Sequence, residues 1–417
     1  NRDPHRGAMA STPLPHTDTL EIRGHIIDSM LFTRILDQVL EAHGSYEIER
    51  FDVGRTPVDP SYARLKVCTD DPERLEELVQ SLMGLGMQRL ETGDATLVPA
   101  EMDGVLPDGF YSSTNLETEV RVAGAWVRVD NPEMDCAIVV RDRRARTVPM
   151  SDVLKGEQVV VGSQGIRVQP LDRGRSGEVF EFMSSQVSSE KPQGLIVRRV
   201  AGAMRATKAR GEKILWVGGP AVVHTGAGPS VVRLIEAGYM DLLFAGNALA
   251  THDIEGALYG TSLGVNLDEG TGVEHGHEHH IRALNTIRRC GSIAKAVEQG
   301  VLSSGIMHAC VVNGVDFVLG GSVRDDGPLP DTVTDVVEAQ RQMRSLLGGV
   351  GYALMVASML HSIATGNLLP ASVPLVCVDI NPATVTKLAD RGSAQATGVV
   401  TDVGLFLGAL ADELAPR

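Results

Sequence analysis

The sequence predicts an α/β protein in which a Rossmann-like parallel α/β nucleotide-binding domain follows a ferredoxin-like α+β module and a small β-rich, barrel-like domain. Three observations predict this class. The 417 residues exceed the usual size of one core, so two or three domains are expected. From about residue 177, apolar segments of strand length alternate with segments of helical period, as in a parallel sheet. Finally, LLFAGNALATHDIE at 242–255 is typical of a buried strand that delivers polar groups into a crevice.

The first predicted domain, residues 20–104, has the order strand–helix–strand–strand–helix of a ferredoxin-like module. Alternating apolar and polar residues predict three strands: 20–27, 46–53 and 62–69. Asp28 or Ser29 can cap the first helix, and Asp71-Pro72-Glu73 combines a cap, a proline and a first-turn acid for the second. Residues 1–19 lack a hydrophobic signal core, and we expect a tag or disordered start.

The second predicted domain, residues 105–176, changes to short β-rich segments separated by Gly, Pro and Asp. The four β-rich segments are 119–129, 136–141, 158–161 and 166–169. The third predicted domain, residues 177–417, is the Rossmann-like nucleotide-binding domain. Its strand candidates are 214–217, 241–244, 315–319, 353–357 and 375–378.

The composition favours an ordered globular protein without a nucleic-acid or membrane partner. The net charge of −15 disfavours phosphate backbones and anionic lipids, and no compensating basic patch is present. No apolar run is long and uninterrupted enough to span a bilayer. The five cysteines form no CxxC pair, which favours reduced thiols over disulfides or zinc, so we expect a cytoplasmic protein.

A glycine-rich turn follows the first predicted strand of the third domain. Gly218-Gly219 ends the strand, and a helix begins near Pro229. Glycines let backbone amides approach a ligand, and a helix N-terminus favours anions. The spacing differs from the standard dinucleotide fingerprint, so ligand contact and a tight connection both stay open.

The polar residues that follow Gly246 are candidates for cofactor and substrate binding. Asn247 can bond a cofactor amide or phosphate, and Asp253 can hold an ammonium group. The alternative is a helix cap at Asn247 with an exposed acidic first turn. Similarly, Asp325 and Asp326 after the Gly320-Gly321 turn either orient a ligand or form a solvated turn.

Ser358 follows the apolar run 353–357 and is a candidate helix cap. If a helix begins there, the amides of Met359 to His361 point at a bound anion. The alternative is one apolar helix that continues to Leu369.

Asp379 is the clearest cofactor signal among the residues themselves. It ends the apolar strand 375–378, and Asn381-Pro382 then begins a helix. An acid at a strand end of an α/β sheet is well placed to accept ribose hydroxyls. Its charge disfavours a 2′-phosphate, which predicts NAD over NADP. The spacing in the histidine-rich segment 274–280 would allow a metal site, and the alternative is a solvent-facing loop and helix start. The rest of the sequence offers no matching ligand set, so we expect no metal.

Long motifs of the chain resemble the archaeal-type ornithine cyclodeaminases. Their conserved region is named after the lysine-oxoglutarate reductase/saccharopine dehydrogenase (LOR/SDH) bifunctional enzymes. The motifs are FEFMSSQVSSEKPQGLIV, GNALATHDIEGALYGTSLGV, GHEHHIRALNTIRRCGSI, GGSVRDDGPLPDT and CVDINPATVTKLADRGSAQATGVVTDVGLFL. The chain also resembles the C-terminal part of bifunctional arginine dihydrolase/ornithine cyclodeaminases. Their guanidine-hydrolysing domain would need residues ahead of Leu20, so we expect no arginine hydrolysis.

The resemblance implies an NAD-dependent lyase of arginine and ornithine catabolism and of proline biosynthesis, and we expect a homo-oligomer. The implied reaction converts L-ornithine to L-proline and ammonia, and one hydride leaves Cα and returns within each turnover. The implied NAD contacts are Asn247, Ala248, Asp326, Ser358, Met359, Leu360, His361, Asp379, Val399 and Val400.

Asp253 is the catalytic candidate, as general base or as partner of the ornithine ammonium, with His252 and Glu278 behind it. Two other functions stay open. One is a different NAD-dependent amino-acid dehydrogenase, of lysine or saccharopine type, which would accumulate NADH. The other is a non-catalytic sensor of NAD or an amino acid, because ferredoxin-like modules often bind regulatory ligands or form oligomer contacts.

Overall fold

The computed structural model describes residues 15–27, 30–54, 59–90, 93–169, 193–262, 265–266, 278–325, 327–390 and 396–416. These residues form two compact units, which divide between residues 178 and 179. Among them, no helix is both long enough and apolar enough to cross a lipid bilayer.

The first unit begins with a ferredoxin-like module, as the sequence predicts. Its elements are β1 (His16–Gly24), α1 (Leu31–Glu41), β2 (Ser45–Asp52), β3 (Ser61–Thr69), α2 (Pro72–Gly84) and β4 (Gln88–Arg89). The sheet is antiparallel with the order β2-β3-β1-β4. The predicted cap of α2 is confirmed, because the Asp71 side chain accepts a hydrogen bond from the Glu73 amide. The cap candidates Asp28 and Ser29 lie outside the described residues.

The rest of the first unit is a seven-stranded, mainly antiparallel sheet in the order β11-β6-β7-β9-β8-β10-β5. Its strands are β5 (Thr96–Pro99), β6 (Thr118–Val122), β7 (Ala125–Asp130), β8 (Ala137–Arg141), β9 (Arg144–Val148), β10 (Gln158–Val161) and β11 (Ile166–Val168). The predicted β-rich segment 119–129 contains two strands, since β6 and β7 form a hairpin. Ala123 and Gly124 between them have φ values of 50° and 78°, as a tight hairpin turn requires.

The second unit is built on a seven-stranded parallel sheet in the order β17-β16-β13-β12-β18-β19-β20. Its strands are β12 (Lys213–Gly218), β13 (Leu242–Gly246), β16 (Asp316–Gly320), β17 (Thr332–Val333), β18 (Val350–Val356), β19 (Leu375–Asp379) and β20 (Ala396–Val400). Apart from the short edge strand β17, this is the Rossmann order 3-2-1-4-5-6, so the predicted fold class is confirmed. The strand order reverses between β12 and β18, where a crevice for ligands is expected.

The helices of the second unit cover both faces of this sheet. They are α3 (Gln193–Ala209), α4 (Ala221–His224), α5 (Gly228–Glu236), α6 (Asn247–Tyr259), α7 (His279–Cys290), α8 (Ile293–Glu298), α9 (Ile306–Val312), α10 (Val336–Leu346), α11 (Leu360–Leu368), α12 (Pro382–Asp390) and α13 (Val403–Leu414). A small hairpin, β14 (Thr261–Ser262) with β15 (Val265–Asn266), follows α6.

Burial on both faces explains why the central strands are continuous apolar runs in the sequence. Along β12, Ile214 and Trp216 pack into one hydrophobic core, whereas Leu215 and Val217 pack into the core on the opposite face. Polar side chains can therefore reach a ligand only beyond the strand ends.

Candidate functional site

Two backbones touch at the point where the strand order reverses. Gly219 follows β12, and its amide donates to the Val356 carbonyl at 2.9 Å. A Cβ atom on Gly219 would lie 1.7 Å from the carbonyl oxygen of Ala357, so only glycine fits. Ala357 itself has a φ of 51°, in the left-handed region that non-glycine residues seldom adopt. The glycine turn after β12 is thus a tight connection, which is one of the two alternatives that the sequence left open.

The imidazole of His361 lies beside the ends of β13 and β16. A Cβ atom on Gly246 would lie 3.2 Å from its Cε1 atom, and one on Gly320 would lie 3.1 Å from its Nε2 atom. Burial lowers the pKa of His361, which favours the neutral imidazole. His361, a predicted cofactor contact, therefore lies at the carboxyl ends of the parallel strands. It packs against Gly246 and Gly320, which the sequence did not single out as site residues.

The segment between β18 and α11 is an exposed turn and not a capped helix start. The helix begins at Leu360, and Met359 at its N-cap position makes no side-chain cap. The prediction that Ser358 caps this helix is therefore wrong, as is the alternative of one helix through to Leu369. Met359 and Leu360 are exposed. Two buried hydroxyls further along α11, those of Ser362 and Thr365, have no hydrogen-bond partner among the residues that the structure describes.

Asn247 joins the end of β13 to the loop that follows β16. It is the first residue of α6, and Gly246 occupies the N-cap position. Its side-chain oxygen accepts hydrogen bonds from the Leu329 amide and the Thr332 hydroxyl, both at 3.0 Å. The buried side chain of Asn247 thus holds the loop after β16. The N-cap residue of α6 is Gly246, and not Asn247 as the alternative interpretation had it.

Asp379 ends β19, as predicted, and begins the turn into α12. Its carboxylate accepts from the Asn381 amide at 2.8 Å, and Asn381 in turn caps the helix through the Ala383 amide. Val400, at the end of β20, is the register partner of Asp379. The position differs from the usual ribose-binding acid, which follows the second strand of the Rossmann order.

The loop after β16 is described only in part. The Asp325 carboxylate accepts from the Ser322 amide at 2.8 Å, which favours a solvated turn at that residue. Asp326, a predicted NAD contact, lies outside the described residues, as do residues 274–277 of the histidine-rich segment. Within the described part of the chain, no group of three His, Cys, Asp or Glu side chains could hold a metal ion.

Both oxygens of Asp253 are occupied by backbone amides. They accept from the amides of Ile306 and Met307, each at 2.8 Å, at the start of α9. Burial raises the pKa of Asp253 to about 6, although both amide bonds act in the opposite direction. The Asp253 carboxylate thus holds the N-terminus of a neighbouring helix, and its contact with the substrate stays a prediction.

The other two catalytic candidates have different surroundings. Glu278 is half-exposed and pairs with Arg282 at 2.8 Å, one helical turn away. His252 lies instead in a polar cluster around a buried carboxylate. We define the histidine–glutamate cluster as six residues: His224, His252, Glu255, Thr261, Ser262 and His279.

Glu255 lies at the centre of this cluster and is completely buried. Its Oε2 atom is 3.0 Å from Nδ1 of His252, and its Oε1 atom accepts from the Thr261 hydroxyl at 2.9 Å. Thr261 is in turn 2.8 Å from Nδ1 of His279. The sequence placed Glu255 only in an acidic helical turn, because it does not reveal partners beyond the end of α6.

A second histidine lies against His252. The ring centroids of His224 and His252 are 4.9 Å apart, and His224 bonds the Ser262 hydroxyl at 2.6 Å. Burial lowers the pKa of His224, and a charge on His252 lowers it further. The cluster thus combines one buried carboxylate with two adjacent imidazoles that do not readily carry charge together.

Family models cover almost the whole chain. The model described as arginine dihydrolase ArgZ-like, C-terminal, Rossmann fold matches residues 198–410. The first region of the same ArgZ-like C-terminal part matches residues 117–197. The LOR/SDH bifunctional enzyme conserved region matches residues 17–116.

The chain is also similar to individual proteins. An ornithine cyclodeaminase of Methanothermobacter thermautotrophicus is 53% identical over 96% of this chain and 98% of that protein. The crystal structure of apo ArgZ, an arginine dihydrolase from the ornithine–ammonia cycle in cyanobacteria, matches with a TM-score of 0.85 and 40% identity, over 97% of this chain and 59% of that one. The ternary complex of AgrE with ornithine and NAD⁺ matches with a TM-score of 0.52 and 44% identity, over 97% of this chain and 58% of that one. The chain thus spans about three-fifths of ArgZ and of AgrE.

Proposed function

This chain is an enzyme of the ornithine cyclodeaminase family, and on that premise we propose that it converts L-ornithine to L-proline and ammonia with NAD as its cofactor. The observation that carries the proposal is the Rossmann strand order, together with the close backbone contact between Gly219 and Ala357 where that order reverses. The chain that shows it is 53% identical to an ornithine cyclodeaminase. Support for the cofactor and the substrate also comes from AgrE, which forms a ternary complex with ornithine and NAD⁺.

The carboxyl edge of the sheet has the length that an extended dinucleotide needs. The proposed contacts begin at Asn247 and Ala248 after β13 and end at Val399 and Val400 of β20, four strand spacings away. With strands about 4.8 Å apart, this edge is roughly 19 Å long. The proposed contacts between these ends are Ser358, Met359, Leu360, His361 and Asp379, and Asp326 completes the set.

Several features of this edge fit NAD. The absence of Cβ atoms at Gly219, Gly246 and Gly320 lets two loops and an imidazole approach closely. The exposed turn at Met359 and Leu360 leaves the first amides of α11 accessible to a phosphate. The carboxylate of Asp379 favours ribose hydroxyls over a 2′-phosphate, so we infer a preference for NAD over NADP.

The proposed reaction is balanced without an external oxidant. Bound nicotinamide accepts a hydride from Cα and returns it to the ring carbon after cyclisation. The protein must hold the substrate carboxylate, remove a proton from an ammonium group and limit water at the resulting imine. Ornithine loses one nitrogen as ammonia, and the other nitrogen becomes the ring nitrogen of proline.

We also infer a homo-oligomer. The support is the edge strand β2, along which every residue is exposed, including Tyr46, Ile48 and Phe51. An exposed strand edge with apolar side chains favours pairing with another chain. Light scattering on the purified protein measures the oligomeric state.

All five cysteines are free thiols, which supports a reducing compartment such as the cytoplasm.

The decisive experiment incubates the purified enzyme with ornithine and a catalytic amount of NAD. We expect proline and ammonia in equal amounts, with no net NADH. Stoichiometric NADH accumulation, with ornithine, lysine or saccharopine as substrate, would move the assignment to an amino-acid dehydrogenase. Tight NAD or amino-acid binding without turnover of any candidate would indicate a sensor.

A further inference from the structure

The proposed reaction needs a base, and neither Asp253 nor Glu278 is placed to provide one. Ornithine carries ammonium groups at Cα and Cδ near neutral pH. The Cα nitrogen must lose a proton before its lone pair can assist the departure of hydride, and the Cδ nitrogen must lose one before it attacks the imine. Asp253 binds two amides with its two oxygens, and Glu278 pairs with Arg282 near the surface.

We propose that His252 is the general base of this reaction and that the buried Glu255 is its positioning residue. The inference rests on the proposed function and adds the residues that transfer the proton. Its basis is the short contact between the His252 ring and a completely buried carboxylate.

The Glu255 carboxylate fixes the tautomer of His252. Because an ionised carboxylate only accepts hydrogen bonds, Nδ1 of His252 carries the hydrogen and donates it over 3.0 Å. Nε2 is then the ring atom with a free lone pair, which is the requirement for a base. The His252 side chain keeps 12% of its surface exposed, whereas Glu255 keeps none. A ligand can therefore reach the imidazole but not the carboxylate behind it.

The carboxylate is itself held from its other side. His279 donates from Nδ1 to the Thr261 oxygen, and the Thr261 hydroxyl donates to Oε1 of Glu255. The His279 ring stacks on Tyr259, with centroids 5.0 Å apart. This chain of hydrogen bonds fixes the orientation of Glu255, which in turn fixes the ring of His252.

Other titratable groups face His252 from the elements packed around it. His224 of α4 is 4.9 Å away between ring centroids, and His280 of α7 is 6.4 Å away. Glu255 lies on the same helix, and His279 lies behind it on α7. The lowered pKa of His224 favours its neutral form, whereas His252 contacts the Glu255 carboxylate.

The location of the pair agrees with a role at the cofactor crevice. His224 follows the end of β12 by six residues, and His252 follows the end of β13 by six residues. These are the first two strands of the Rossmann order, on one side of the reversal point. Both imidazoles are therefore presented by the segments that leave the carboxyl edge.

The proton balance closes with this one base. Nε2 of His252 takes a proton from an ornithine ammonium group, and the lone pair that is released assists hydride departure from Cα. As the Cδ nitrogen attacks and the C–N bond to the original Cα nitrogen breaks, two protons of the Cδ ammonium group pass to the leaving nitrogen, which departs as ammonium. After the hydride has returned, the imidazolium gives its proton to the ring nitrogen of proline. Singly charged ornithine thus gives neutral zwitterionic proline and ammonium.

The test uses His252→Ala and Glu255→Gln in the full chain, with Glu338→Gln as the matched control. Glu338 also pairs with a basic residue three positions away, but on an exposed helix face. We expect His252→Ala to lower kcat for proline formation by about 10²-fold or more while the Kd for NAD changes less than about threefold. Added imidazole should restore part of the rate, a response that a purely structural role does not give.

For Glu255→Gln we expect the acidic limb of the kcat/KM profile to move to lower pH by about 1 unit, since loss of the anion disfavours the imidazolium. A native rate in His252→Ala, or a rate loss that imidazole does not restore in a folded, NAD-binding variant, would overturn the proposal. An unmoved limb in folded Glu255→Gln would overturn the role of Glu255. If the unmodified protein makes no proline from ornithine, the proposed function has failed instead.

Discussion

The contact between Gly219 and Ala357 gives the sharpest test of where the cofactor binds. In Gly219→Ala, the new Cβ atom would begin 1.7 Å from the Ala357 carbonyl oxygen and 2.6 Å from its carbonyl carbon. Cβ contacts under 3.0 Å are essentially never observed, so the two backbones must separate by at least about 1.3 Å. Neither can yield easily, because Gly219 and Ala357 are both bonded to neighbouring strands, through Val356 and Val378.

The expected cost follows from this displacement. Overpacking in a well-packed region costs about 1–3 kcal/mol, and Ala357 already has an unfavourable left-handed φ. We expect the free energy of unfolding to fall by about 3 kcal/mol. A misplacement of about 1 Å is enough to reduce activity by about 10²-fold, so we expect the Kd for NAD to rise by about tenfold to a hundredfold.

Urea unfolding and NAD titration measure both effects. The matched control is Gly202→Ala in the middle of α3, where a Cβ atom would meet nothing within 4 Å. This control should leave NAD binding unchanged and stabilise the protein by up to about 1 kcal/mol, because alanine favours helix. If Gly219→Ala bound NAD as tightly as the unmodified protein, the strand-order reversal would not be the cofactor crevice.

Three further predictions concern single side chains. Asp379→Ala should weaken NAD binding by about 1.5–3 kcal/mol through lost charged hydrogen bonds, measured by titration, and equal affinity of the unmodified protein for NAD and NADP would contradict the assigned preference. For Asp253, burial raises the pKa to about 6 from its ordinary value of 3.8, so the folded state binds the extra proton and stability should fall as pH rises between these values. The unfolding free energy of Asp253→Asn should lack this pH-dependent change, which amounts to roughly 3 kcal/mol. A large loss of turnover in a stable Asp253→Asn variant would instead indicate that Asp253 contacts the substrate. Asn247→Ala leaves the buried Leu329 amide without its acceptor and should destabilise by about 1–3 kcal/mol in denaturant unfolding; a smaller change would mean that water replaces the amide oxygen.

The sequence predicts features whose causes lie within a few residues. The β12 and β19 strands are found because two-sided burial makes them apolar throughout. The caps at Asp71 and Asn381 are found because the acceptor and the amide are two residues apart. Asp379 at the end of β19 is correctly placed for the same local reason.

Features that depend on distant contacts could not be predicted. Asp253 bonds amides 53 and 54 residues away, so its helical pattern gave no sign that both its oxygens are occupied. The His361 ring requires the absence of a side chain at Gly246, 115 positions earlier.

The position of β12 in the sheet also determines when the proposed cofactor crevice forms during synthesis. Gly219 and Ala357 are 138 residues apart in the chain, and β12 pairs with β18 only after the intervening strands and helices have been made. At about 5–20 residues per second, a ribosome needs roughly 7 to 28 seconds to cover that distance. For that interval, β12 has an unpaired edge on the side that β18 will later cover, so a truncated or stalled chain would present an apolar strand edge to chaperones and to neighbouring nascent chains.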